Sequence, residues 1–280
     1  MNASVASLRL PGPSAGGRLL TVRDVEGPAE MAACIALYER VMGLRSGDGS
    51  LNLRLLTALQ HNSGLVLGAF LDGEPVGFTY SFLARGHDRG RQLLYQYSQL
   101  AVVARELQGT GVGRLLKLGQ RERCLAEGTT LMRWAYDPVQ TRNGHFNLDV
   151  LGAVVETFTP AMYGTEGFGD ATGDTTDRFI VTWRLEGAAP PPPARPLPPP
   201  PPYGHRVGDV RTAGEDRFVV LPDDWQRHRA EVGPAAAAED RARLTGTFTR
   251  LLADRVADSC VRLGDGYAAY RFRPTPPTLP

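Results

Sequence analysis

Residues 99–128 read QLAVVARELQGTGVGRLLKLGQRERCLAEG. An apolar run ends at Val103, three glycines follow at 109, 111 and 113, and a basic, leucine-rich stretch begins at once. This is the pattern of a strand entering a helix through a turn that must stay free of side chains. The first amides of a helix have no acceptor within it and lie at the positive end of its dipole, so such a turn is suited to a phosphate. Glycines there let the backbone come close to phosphate oxygens.

Spacing separates the kinds of phosphate turn. A nucleoside-triphosphate loop needs GxxxxGK[ST], and no Lys-Ser/Thr pair follows these glycines. A dinucleotide fingerprint needs GxGxxG, whereas here Arg114 stands at the place of the third glycine, and the turn follows several strands instead of opening the domain. A third pattern, Gln/Arg-x-x-Gly-x-Gly/Ala, is matched by Gln108-Gly109-Thr110-Gly111-Val112-Gly113.

Working outward, residues 19–25 read as a first strand, followed by helical stretches at 28–43 and 50–64. Residues 64–85 read as a hairpin turning at Asp72-Gly73-Glu74, and 92–103 as an aromatic and β-branched strand. After the helix at 111–127 come strand 130–136, a short helix from about Asn143, and strands 153–160 and 178–185. This order fits an α/β (α+β) fold with a mostly antiparallel central sheet and one helix-connected parallel pair.

The motif, its preceding strand and the element order resemble the GCN5-related N-acetyltransferase superfamily. The resemblance implies an acyl-CoA donor, acetyl-CoA or another acyl-CoA. Its pantetheine arm would lie along the backbone of Leu100, Ala101, Val102 and Val103. The turn Gln108, Gly109, Thr110, Gly111, Val112, Gly113 and the first-turn Arg114 would hold its phosphates. Arg114, Lys117 and Arg121 are spaced to share a helix face; Lys117 and Arg121 read as its solvated part. The Leu100 amide would steady the oxyanion formed when an amine attacks the thioester.

Many members of the superfamily carry a general-acid tyrosine four residues before a later Gly; counting back from Gly152 gives Leu148. Strand 93–103 also offers no Asp or Glu. In their place stands Trp134-Ala135-Tyr136-Asp137-Pro138, similar to a less-studied branch of the superfamily with Trp-x-x-Asp-Pro. Asp137 is a candidate base acting through water, with an Asx turn as the competing role. Tyr163 is a candidate replacement acid. Asn143, capping or opening the short helix, and Asn147 one turn on are candidates for contact with the cofactor. His87 and His145 are the histidines nearest the presumed site, with His145 reading as surface; His61, His205 and His228 show no pairing, and no metal site is expected.

Residues 1–18 read as a flexible leader, 19–187 as the acyl-CoA-binding domain, 188–204 as a proline-rich linker and 205–280 as a small α/β region. The run PPPPARPLPPPPP at 190–202 is read as a semi-rigid spacer rather than a ligand for a proline-recognising domain. Beyond it, 217–222 reads as a strand, Asp223 or Asp224 as a helix cap, 235–256 as a helix and 266–274 as a closing strand.

A net charge of +1 gives no reason to expect nucleic acid or a membrane surface as partner. Three scattered cysteines, with no apolar run long enough to span a bilayer, fit a cytoplasmic protein. The expected activity is an acyl-CoA-dependent N-acyltransferase acting on a small-molecule amine, such as an amino acid, with acetyl or a longer acyl group such as succinyl. A homodimer is left open. The competing expectation is a non-catalytic acyl-CoA-binding or assembly module.

Overall fold

The computed structural model describes residues 6–9, 19–44, 51–88, 91–164, 175–187 and 206–275. The proline-rich segment 188–204 lies outside the described residues, as do 1–5 and 10–18 of the expected leader. The chain divides into two compact units, 1–133 and 134–280.

In the first unit, β1 (Ala6–Arg9), β2 (Leu19–Asp24), β3 (Leu65–Leu71), β4 (Glu74–Asp88) and β5 (Arg91–Val103) pair antiparallel in that order. β6 (Leu131–Tyr136) then pairs parallel with β5. Ala6–Arg9, expected as part of the leader, therefore form an edge strand on β2.

β3, LVLGAFL, is buried along its whole length, because neighbours pair with both its edges and helices cover both its faces. Its side chains alternate accordingly. Leu67, Ala69 and Leu71 meet Val112, Leu115 and Leu116 of α3 (Val112–Ala126). Val66 and Phe70 share a second core with Met31 and Cys34 of α1 (Gly27–Met42) and Leu56 of α2 (Leu53–His61). α3 comes so close to β2 that a Cβ on Gly119 would lie 2.8 Å from Val22 Cγ1. The β3–β4 turn is Asp72-Gly73, at φ 51° and 88°, and Glu74 already pairs with Leu71.

The second unit begins inside β6. Its sheet runs β6, β8 (Arg178–Arg184), β7 (Val154–Thr159), β11 (Arg255–Gly264), β12 (Tyr267–Pro274), β10 (Asp216–Pro222), β9 (Val210–Ala213). α4 (Thr141–His145) passes into a π-helical turn at Phe146–Val150, and α5 (Trp225–Val232) and α6 (Pro234–Leu251) follow β10. Asp224 caps α5, accepting a hydrogen bond from Arg227 N at 3.1 Å.

Two expectations differ here. The helix read over 235–256 stops at Leu251, and Arg255-Val256 open β11. The strands after the proline-rich segment join β7 through β11, so residues 206–275 share one compact unit with 134–187. Aromatic packing explains why: Phe179 of β8 meets Tyr136, Phe158, Phe248 and Tyr270 edge-on, with centroids 4.7–5.8 Å apart. Tyr270 Oη also donates to Pro138 O at 2.9 Å, and Gly144 leaves room for that ring.

Phe179→Ala should therefore cost about 3–5 kcal/mol in urea unfolding. A loss under about 1 kcal/mol would show that this aromatic cluster does not hold the C-terminal strands.

Candidate functional site

The turn after β5 is tied back to its own strand. Ala104 N donates to Val76 O at 2.8 Å, and a short 3-10 turn spans Arg105–Leu107. Gln108 Nε2 donates to Val103 O at 3.2 Å and Thr110 Oγ1 to Leu107 O at 2.7 Å. Gln108 and Thr110 thus use their side chains to close the turn. Gly109 and Gly111 sit at φ 81° and 101°, where other residues are strained. Gly111 is the N-cap of α3, and its carbonyl accepts from Leu115 N at 3.0 Å.

Gly113 has an ordinary φ, and a Cβ there would find Val103 Cγ2 at 3.8 Å, an ordinary contact. Two of the three glycines are therefore conformational needs. The amides of Val112, Gly113 and Arg114 open the helix and have no acceptor within it. They form the donor set expected to meet a pyrophosphate, and the Arg114 side chain beside them is exposed.

The strand before the turn is irregular where the chemistry is expected. β5 pairs with β6 at Gln96↔Met132 and Tyr97↔Arg133 and runs on to Val103. On its other side, Leu100 pairs with Tyr80 and Ser98 with Ser81, so Gln99 is an extra residue, a β-bulge. A bulge bends its strand and increases its twist. Leu100, Ala101, Val102 and Val103 follow the bulge and keep their pairing with β4.

Behind the bulge, the seam between α3 and the sheet is polar. Thr79, Ser81, Gln96, Ser98, Lys117 and Gln120 are all buried. Lys117 Nζ donates to Ser98 Oγ at 2.8 Å, and Ser98 Oγ donates to Gln120 Oε1 at 3.1 Å. Gln96 Nε2 donates to Ser81 Oγ at 3.1 Å, and Thr79 Oγ1 to Leu100 O at 2.5 Å. Lys117 is not part of a solvated face, as its spacing with Arg114 and Arg121 implied: it is 5% exposed, and burial pushes its amine down to about 7. Sequence did hold a signal for this, since Lys117 is the only lysine among 31 basic residues and stands within LLKLG.

The remaining candidates belong to the second unit. Asp137 Oδ1 accepts from Val139 N at 3.2 Å, the Asx turn weighed against the base role, and from Arg241 Nη2 at 2.7 Å. Arg241, on α6, is 3% exposed and also donates from Nε to Thr175 Oγ1 at 3.2 Å. Tyr163 N donates to Thr176 Oγ1 at 3.0 Å, and Arg178 lies over its ring at 5.3 Å. Asp137 and Tyr163 are thus both tied to the Thr175–Thr176 stretch.

Asn143 is exposed inside α4, whose N-cap is Gln140, so it neither caps nor opens the helix. Asn147 is buried, and its Oδ1 accepts from Trp134 Nε1 at 3.2 Å, which commits it to the core. Leu148, at the place of the missing tyrosine, is fully buried. Among the described residues no group of three His, Cys, Asp or Glu is placed to hold a metal ion, and no helix is long and apolar enough to cross a membrane.

No family model matches the chain, and no curated protein matches it. Among solved structures, it is similar to yncA from Salmonella typhimurium, solved with its cofactor acetyl-CoA: 22% identity, 61% of this chain and 97% of that one, TM-score 0.47. It is similar also to an acetyltransferase of the GNAT family from Streptococcus pneumoniae, at 16% identity over 60% of this chain and 99% of that one, TM-score 0.45. The ribosomal-protein-S18-alanine N-acetyltransferase from Escherichia coli gives 14% identity over 60% and 96%, TM-score 0.45. These likenesses stop at outline.

Burial of Lys117 has a pH signature. Its folded-state value near 7 lies below the free value of about 10.4. Between the two, the unfolded chain holds a proton that the folded chain does not, so stability rises with pH across that window and reaches its lower plateau below about pH 7. Urea midpoints of the natural protein and Lys117→Met should diverge below pH 10 to the natural protein's disadvantage and stay parallel below pH 6. A difference independent of pH would mean that the lysine titrates normally.

Proposed function

We propose that the chain is an acyl-CoA-dependent N-acyltransferase of the GCN5-related type, acting on the amine of a small molecule. The observation that carries this reading is the succession along one segment of two features: a bulge at Gln99 on β5, and a glycine turn leading to open helix amides. A strand's backbone can pair with an amide-bearing chain, and pantetheine carries two amides. The residues present suit that donor, because the edge and the helix amides recognise the pantetheine and the pyrophosphate in turn.

The donor supplies a thioester. The amides of Val112, Gly113 and Arg114 would hold its pyrophosphate, with Arg114 adding charge, and the Ser98–Val103 edge would align the pantetheine. The Leu100 amide would face the carbonyl oxygen as it becomes an oxyanion. The amine attacks the carbonyl carbon, the C–S bond breaks, and the thiolate takes a proton from Tyr163, the proposed acid, while the proton that the nitrogen sheds passes through water back to the Tyr163 oxygen. Asp137, held by Arg241, acts in this scheme as an anchor for the end of β6 rather than as the base. Held geometry and the oxyanion amide supply much of the rate when one acid or base is weak. An amino acid is the proposed acceptor and acetyl the proposed acyl group, with succinyl as the longer option.

Titration calorimetry should give saturable binding of acetyl-CoA to the natural protein. Gly111→Trp, strained at φ 101° and bulky at the turn, should weaken it by about tenfold or more while the melting temperature is followed in parallel. Free thiol should appear with at least one of a panel of amino acids, polyamines and aminosugars, and Tyr163→Phe should slow it. Absence of saturable acetyl-CoA binding contradicts the reading. Binding without turnover across the panel would support the non-catalytic acyl-CoA-binding module.

A further inference from the structure

The polar seam under α3 has a pattern that core packing alone does not require. Helix–sheet seams gain most from apolar side chains, and each buried polar group there must be matched by hydrogen bonds. On this face the sheet presents Leu67, Ala69 and Leu71 at one end and the polar Thr79, Ser81, Gln96 and Ser98 further across. The polar residues of β4 and β5 flank the bulge.

The two residues beside Gln99 are each held by a buried side chain. On one side, Ser98 Oγ accepts from Lys117 Nζ at 2.8 Å and donates to Gln120 Oε1 at 3.1 Å. On the other, Leu100 O accepts from Thr79 Oγ1 at 2.5 Å. Ser81, opposite Ser98 in the ladder, is bonded in turn by Gln96. Gln99 itself is exposed, the one residue of the three without a partner across the ladder. A bulge is a local irregularity that could otherwise shift along the strand by a residue, and such a slip would move every amide after it.

We propose that Lys117 is a positioning residue of the donor site: through Ser98, and together with Thr79 on Leu100, it fixes the bulge at Gln99 and so the aim of the amide that follows. The inference rests on the acyl-CoA reading above. Lys117 acts on the donor through the Ser98 hydroxyl and the strand that carries it, without touching the donor itself. The chain's other basic residues are arginines, whose broad planar head needs more room than a compact ammonium.

The pyrophosphate turn and the bulge act on different parts of the donor, and this separates a positioning role from a merely structural one. CoA reports on the turn and the pantetheine edge; acetyl-CoA adds the carbonyl that the positioned amide meets. Calorimetry on the full chain with both compounds should find acetyl-CoA bound more tightly than CoA by about fivefold, the worth of one well-aligned hydrogen bond. In Lys117→Met this ratio should fall to about one while CoA affinity stays within about twofold. Ser98→Ala, which keeps the lysine, and Thr79→Val, which acts from the other side of the bulge, should do the same.

A ratio that survives in all three variants overturns the proposal, as does a parallel loss of CoA and acetyl-CoA affinity, which marks general loosening of α3. A natural protein that binds both compounds equally also overturns it. If neither compound binds the natural protein, the donor reading itself fails and takes this inference with it.

Discussion

The bulge at Gln99 on β5 is the constraint on which the proposed donor site depends. β5 continues for six residues past Tyr97, bulges at Gln99 and then hands the chain to a glycine turn. In the proposed scheme the amides that meet the pantetheine, the oxyanion and the pyrophosphate then follow one another along one continuous segment. Backbone groups make up this set, which is why residue types along Leu100–Val103 carry so little information about the chemistry.

Stability in the first unit reflects a compromise around that segment. Leu67, Ala69 and Leu71 supply an ordinary apolar seam with α3, while Thr79, Ser81, Gln96, Ser98, Lys117 and Gln120 replace part of it with hydrogen bonds. Burying an amine is costly, and that burial holds the Lys117 amine below its ordinary value. Proteins commonly concentrate such costs where geometry must be held against relaxation, and here the bonds converge on the bulge.

Much of the first unit was legible because its signals are local. The wholly apolar β3, the Asp72-Gly73 turn, the aromatic β5 and the glycine entry to α3 each follow from short-range rules. The same locality misleads at Lys117: spacing with Arg114 and Arg121 puts it on a charged stripe, and only the approach of α3 to β5 turns it inward. The second unit was harder to read, since its ties are distant. Asp137 meets Arg241 across 104 positions, and Tyr270 reaches Pro138 across 132. Asn147, a polar residue in a helix expected near a ligand, serves Trp134 in the core. β11 was hidden because Arg255-Val256 continue a helical pattern that ends only when the strand pairs with β7 and β12.

A crystal structure of the protein with acetyl-CoA tests the central claim most directly. The account requires the pyrophosphate within hydrogen-bond distance of the Val112, Gly113 and Arg114 amides, the pantetheine paired along Ser98–Val103, and the carbonyl oxygen at the amide following Gln99. A donor bound away from β5, or a pyrophosphate held by side chains remote from the glycine turn, would contradict it.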